Sequence, residues 1–182
     1  GNSQIRSTKW VCIGSAELID KRAVRPVPVL PGGTLGDYVP FYFTPFSVML
    51  RNIHTGWNGI KQVPNADIVI LVSSLRRVSQ LKLPFLFTDC HAYSGLANFY
   101  DDLAQLDRID WPLLQRRDFK RDPEDPGKLE RYQAEALVHQ QVPLAALLGI
   151  VCYTDVVRAE IESKMRGLGV ALSVHTRPNW YF

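Results

Sequence analysis

Glu135 stands in the stretch "ERYQAEALVHQQVP", a carboxylate inside a short apolar run made by Ala134, Ala136, Leu137 and Val138. Taking a carboxylate out of water is costly unless it is paired and hydrogen-bonded. Glu135 therefore belongs at a surface, in an ion pair or in a site. Read from the residues alone, the ordinary choice is a strand-end carboxylate facing water. The chemical choice is a catalytic carboxylate.

Few other residues compete for chemistry. His91 in "TDCHAY" reads first as a loop or helix-cap residue and second as a base, while His54 and His139 carry less weight. Arg116, Arg117, Lys120 and Arg121 alternate with Asp118, Asp122, Glu124 and Asp125, the pattern of a solvated charged loop rather than a continuous nucleic-acid stripe. No Gly-rich phosphate loop, Ser nucleophile elbow or His-Glu-x-x-His helix occurs. The three cysteines, Cys12, Cys90 and Cys152, are widely spaced and odd in number, so reduced thiols and no metal site are expected.

The elements that must position these residues can be read in outline. "SAELIDKRA" predicts a short helix with Ser15 as its N-cap, and "RPVPVLPGG" after it predicts a surface loop. "DYVPFYF" predicts a strand in which Pro40 implies an edge or a bulge. "PFSVMLRNIHTG" predicts a helix stopped by Gly56, and the continuous apolar run "ADIVILVSS", Ala66 to Ser74, predicts a buried strand. "SLRRVSQL" reads as a short helix and "LPFLFTD" as a strand. "SGLANFYDDLAQLDRI" reads as one amphipathic helix with Leu96, Phe99, Leu103 and Leu106 on one face.

From Asp110 to Arg131 the text is charged and broken, which predicts an exposed loop with one or two helical turns. "QAEALVHQQ", "LGIVCYT" and "GVALSVHT" predict strands, with the helix "DVVRAEIESKMRG" between the last two. This order favours an α+β fold, with mixed or antiparallel sheets flanked by helices. The 182 residues suit one domain, and 46% hydrophobic with 21% charged residues excludes a disordered chain. A net charge of +3 permits an anionic partner without announcing one. No run approaches the length of a membrane span and no signal segment is visible, so a soluble cytoplasmic protein is expected.

The segments "PGGTLGDYVPFYFTPFSVML", "LPFLFTDCHA", "QLDRIDW", "QAEALV" with the downstream "VPL", and the terminal "RPNWYF" together resemble the DarT family. These are DNA ADP-ribosyltransferase toxins partnered by the DarG macrodomain antitoxin. The matches run in family order over nearly the whole chain. The resemblance implies an ADP-ribosyltransferase fold with NAD as co-substrate in a cleft between sheets, and Glu135 at the place of the family's strand glutamate. It implies Arg22 of "LIDKR" as the arginine that serves NAD and the transfer step, with Lys21 and Arg25 as alternative matches. Tyr42 is implied as a further NAD contact.

The resemblance also makes the segment from Trp111 to Tyr132 the loop that faces the substrate. His91, Trp111, Arg116, Arg117 and Tyr132 are then the candidate contacts to single-stranded DNA, with Phe119 as another stacking face. Arginines would hold phosphates, and aromatic faces would stack bases. Loss of nicotinamide leaves an oxocarbenium-like ribose, which a rigidly held carboxylate can stabilise. Thymine attacks through a weakly acidic ring nitrogen, so a base must take a proton. Glu135, His91 and a water held by Arg22 are the candidates. The family opens with a histidine-bearing strand and helix that contact NAD, and nothing like them precedes Lys9, so the chain reads as short of that element. The leading expectation is transfer of ADP-ribose to a base, most readily thymine, of single-stranded DNA. The alternatives are transfer to RNA or protein, and an inactive NAD- or DNA-binding module.

Overall fold

Alternation of side chains along four short strands builds the sheet that carries Glu135. The structure is a computed structural model and describes residues 14–118 and 120–182. Lys9, Cys12 and Phe119, named above, lie outside the described residues. Strand β1 (Tyr38–Tyr42) pairs with β5 (Glu135–His139), β5 with β3 (Phe85–Thr88), and β3 with β4 (Phe99–Tyr100), all antiparallel. The sheet order is β1-β5-β3-β4, so Pro40 sits on an edge strand as its missing N–H requires.

Because facing residues of paired strands point to one side, the sheet has two distinct faces. Phe41, Phe85, Phe87, Tyr100 and Ala136 point to one, where they pack with Ile109, Leu113, Leu114 and Tyr132. Tyr38, Leu86, Phe99 and Leu137 point to the other, against Val27, Leu35, Ala92 and Tyr93. Glu135 has the parity of Leu137 and so shares this second face, opposite Tyr42 on β1. A slip of one residue would drive the carboxylate into the aromatic core on the other side.

The second sheet has the order β2-β6-β7, from β2 (Ile70–Ser73), β6 (Leu147–Cys152) and β7 (Val174–Thr176). β2 pairs antiparallel with β6, and β6 pairs parallel with β7, the two joined by helix α6 (Asp155–Gly167). One antiparallel and one mixed sheet with outlying helices is the α+β architecture expected. The C-terminal residues tie down the second sheet: the Tyr181 hydroxyl donates to the carbonyls of Ile68 or Val151, each at 3.0 Å.

Helix α1 (Ala16–Ala23) begins where Ser15 Oγ accepts from the Leu18 amide, and α2 (Val48–Thr55) ends at Gly56 in the left-handed region with φ 69°. Helix α3 (Leu75–Gln80) also stands where the sequence places it. Three expectations fail. The run from Ser94 to Ile109 is not one helix: it contains β4 and a 3-10 turn over Leu103–Arg108. Asp89 accepts from both Asn98 nitrogens and from the Tyr100 hydroxyl, and Asp102 accepts from the Ala104 amide, so local polar bonds and pairing with β3 displace the helix. The run Ala66 to Ser74 is a strand for four residues only, on a sheet edge, with Val69 and Leu71 about half exposed. The expected strand "GVALSVHT" likewise shortens to its last residues.

Candidate active site

The first residue of β5 places Glu135 at the end of the central pair of strands, where it is 2% exposed and therefore does not face water. It is paired instead. Arg22, projecting from α1, donates from Nη1 to Oε1 at 2.9 Å and from Nη2 to Oε2 at 2.7 Å. This two-pronged geometry is what a planar guanidinium makes with a carboxylate and a lysine cannot. The backbone amide of Ala92 adds a third donor to Oε1 at 3.1 Å. Among the described residues Oε2 accepts from Arg22 alone, which leaves it a lone pair for a further hydroxyl.

Of the three cations in and beside "LIDKR", only Arg22 reaches the carboxylate. Lys21 forms an exposed pair with Glu17, and the Arg25 guanidinium lies 5.8 Å from the centroid of the Tyr93 ring. His91 brings Nε2 to 3.8 Å from Glu135 Oε1, beyond hydrogen-bond length. Burial pushes the imidazole below its ordinary pKa, Arg22 pushes the same way, and Glu135 and Glu130 oppose them. A neutral His91 beside the carboxylate can accept a proton. Tyr42 lies across from Glu135 in the β1 and β5 register, its phenol pushed far up by burial and by the Glu135 charge, so it is a neutral donor.

Thr88 is a residue that sequence reasoning misses. Fully buried, its hydroxyl accepts from the Glu135 amide at 3.3 Å and donates to the Cys90 carbonyl at 2.6 Å. It thus joins the start of β5 to the turn bearing His91 and Ala92. The His91 amide donates to the Glu130 carbonyl at 2.9 Å, a second tie to the approach to β5. Thr88 stands within "FLFTD", and only its register with Glu135 singles it out.

The loop residues are distributed differently from expectation. Trp111 opens helix α4 (Trp111–Arg116), donates from its indole to the Leu106 carbonyl at 2.8 Å and packs edge-on against Phe43, so its ring serves the core. Tyr132 is 1% exposed and donates to the Phe46 carbonyl at 2.9 Å, so its ring is covered and offers no face to a base. Arg116 is exposed. Arg117 is also exposed, with its guanidinium centred 3.4 Å from the centroid of the Phe46 ring.

The acids and bases of this segment are sorted by structure. Lys128, in helix α5 (Lys128–Arg131), pairs with Asp118, and Arg131 pairs with Asp110 and Asp125. A separate concavity of about 500 Å³, lined by Ser74, Arg77, Leu148 and Ser173 among others, shares no residue with the Glu135 cluster.

The arrangement can hold a hydroxyl on a rigid carboxylate, offer a guanidinium to anionic oxygens and accept a proton nearby. Residues 2–182 match the family described as ssDNA thymidine ADP-ribosyltransferase, DarT. The chain is 58% identical over 182 residues to a DNA ADP-ribosyl transferase of Escherichia coli O127:H6, covering all of this chain and 84% of that one. Its fold is similar to Thermus sp. 2.9 DarT in complex with ADP-ribosylated ssDNA, with a TM-score of 0.88, 34% identity, and coverage of 96% of this chain and 83% of that one. It is also similar to the same Thermus protein in complex with NAD+, with a TM-score of 0.81, 36% identity, and coverage of 89% and 81%. The chain belongs to the DarT family, the single-stranded-DNA thymidine ADP-ribosyltransferases, which use NAD+.

Proposed function

We propose that this chain transfers ADP-ribose from NAD+ to thymidine in single-stranded DNA, and that Glu135 and Arg22 form its catalytic pair. The observation that carries the assignment is the buried Glu135 carboxylate, gripped by Arg22 and the Ala92 amide at the end of β5. NAD+ supplies the ADP-ribosyl group and nicotinamide leaves. The residues present fit that co-substrate: Glu135 Oε2 has acceptor capacity for a ribose hydroxyl, and Arg22 can share its guanidinium with a phosphate or ribose oxygen. Glu135 then stabilises the positive charge that grows on the sugar as the glycosidic bond breaks. Tyr42, held neutral, donates from the neighbouring strand.

His91 is the proton acceptor for the thymine ring nitrogen in this reading. It is close to Glu135, neutral and less deeply buried. DNA approaches along the segment from Trp111 to Tyr132, where Arg116 is exposed for phosphate contact. The family resemblance supports a role as the toxin of a toxin-antitoxin pair with the macrodomain protein DarG as antitoxin, and the sequence reading supports the cytoplasm as its place of action. Among the described residues no helix is long and apolar enough to cross a membrane.

The test is Glu135→Gln. It keeps the shape and removes the charge, so labelled ADP-ribose incorporation into a thymidine-containing single strand should fall by about 100-fold or more. Oligonucleotide binding should persist. Incorporation at the wild-type rate would remove Glu135 from the mechanism.

A further inference from the structure

Phe46 touches both ends of the part of the DNA-facing segment that follows α4, from Arg117 to Tyr132. At its start, Arg117 caps α4 in the left-handed region, with φ 54° and ψ 37°, and lays its guanidinium over the Phe46 ring at 3.4 Å. A non-glycine residue holds that backbone conformation only where surrounding contacts over-determine it. At the far end, the buried Tyr132 hydroxyl donates to the Phe46 carbonyl at 2.9 Å. Phe46 itself is held: it is 6% exposed, Phe182 packs edge-on against it with ring centroids 5.9 Å apart, and its amide donates to Thr44 Oγ1 at 3.2 Å.

We propose that Phe46 is the common anchor of the segment from Arg117 to Tyr132, and that Arg117 serves DNA transfer as a positioning residue, stacked on Phe46, rather than by binding a phosphate. This rests on reading that segment as the DNA-facing one. The chemistry explains why arginine suits the place: a flat, weakly hydrated guanidinium stacks on an aromatic face while its edge stays in water. The opposite end needs no charge, because Tyr132 leads through Gln133 and Ala134 directly into Glu135. With Arg117 and Tyr132 both tied to one residue, the two ends of the segment keep a fixed place relative to the carboxylate.

Phosphate binding and positioning leave different signatures. A cation that neutralises one phosphate of a single strand steepens the fall of log affinity with log salt by about 0.7, and its removal takes that increment away. The experiment compares wild type, Arg117→Met, Phe46→Leu and the double variant. It measures transfer to a thymidine-containing single strand, NAD+ hydrolysis by water, the salt slope of oligonucleotide binding, and hydrogen exchange across residues 117–132. Expected are a fall of about tenfold in the ratio of transfer to hydrolysis for each single variant, an unchanged salt slope, faster exchange in the segment, and a double variant no worse than the poorer single one.

A salt slope shallower by about 0.7 in Arg117→Met, with effects that add in the double variant, would overturn the proposal. Arg117→Met alters an exposed side chain, so it reports even where Phe46→Leu fails to fold. The exchange measurement separates this idea from the function on which it rests. An oligonucleotide that wild type leaves unmodified defeats that function, whereas unchanged exchange in Arg117→Met defeats the anchor.

Discussion

A buried carboxylate with a two-pronged guanidinium and a backbone amide is a group whose every contact sets its direction. Thr88 has the same character one layer out, because one hydroxyl bonds the Glu135 amide and the Cys90 carbonyl. Thr88→Val keeps the volume and deletes both bonds, leaving a buried carbonyl and amide without that partner. Such a loss costs about 1–3 kcal/mol per unsatisfied group. The expected outcome is a lowered kcat for transfer with KM for NAD+ nearly unchanged, and recovery in Thr88→Ser, which restores the hydroxyl. If Thr88→Ser is as impaired as Thr88→Val, the methyl group and not the hydrogen bonds matters, and the positioning role fails.

At the scale of elements, the charged segment shows how sequence order conceals pairing. Its alternating charges look self-neutralising, but Lys128 is taken by Asp118, and Arg131 by Asp110 and Asp125. The ties bring the N-cap of α4, the loop and α5 together immediately before β5. Arg131 is about 40% exposed, so its pairs are screened and worth little to global stability, about 1 kcal/mol or less. Their effect should be local. Arg131→Met is expected to speed proteolytic cleavage between residues 118 and 127 while the melting temperature shifts by only a few degrees. Cleavage at the wild-type rate would show that the staple does not order the loop.

Over the whole molecule, the site couples to folding through His91. Its folded pKa lies below the ordinary 6.5, with burial the main cause and the Arg22 charge acting in the same direction. The unfolded chain therefore binds more protons in the interval beneath 6.5. The contribution of neutral His91 to stability is whole above about pH 6.5 and is lost as pH falls through that interval. His91→Gln, which cannot titrate, should lose less stability than wild type between pH 7 and pH 5. Urea midpoints at each pH measure this, and parallel curves for the two proteins would exclude the coupling.

Period-two alternation and end signals make much of this protein legible from its residues: Ser15 and Gly56 as helix ends, Pro40 on an edge strand, and Glu135 at the head of a strand. They do not show which side of that strand is polar. Glu135 is flanked by alanines and reads as water-facing, and only its register with β1 and β3 puts it beside Arg22, 113 positions earlier in the chain. The failures have the same origin. Leu96, Phe99, Leu103 and Leu106 have helical spacing, yet Phe99 and Tyr100 are drawn to β3 and Asp89 takes the local donors. Trp111 and Tyr132 look like stacking faces in a polar loop and are used by the core instead. Local spacing sets which residues can share a face, because it depends on backbone geometry that each residue carries with it. Which faces meet, and hence which charge is paired and which aromatic ring is covered, depends on contacts between distant segments, and that only the tertiary structure decides.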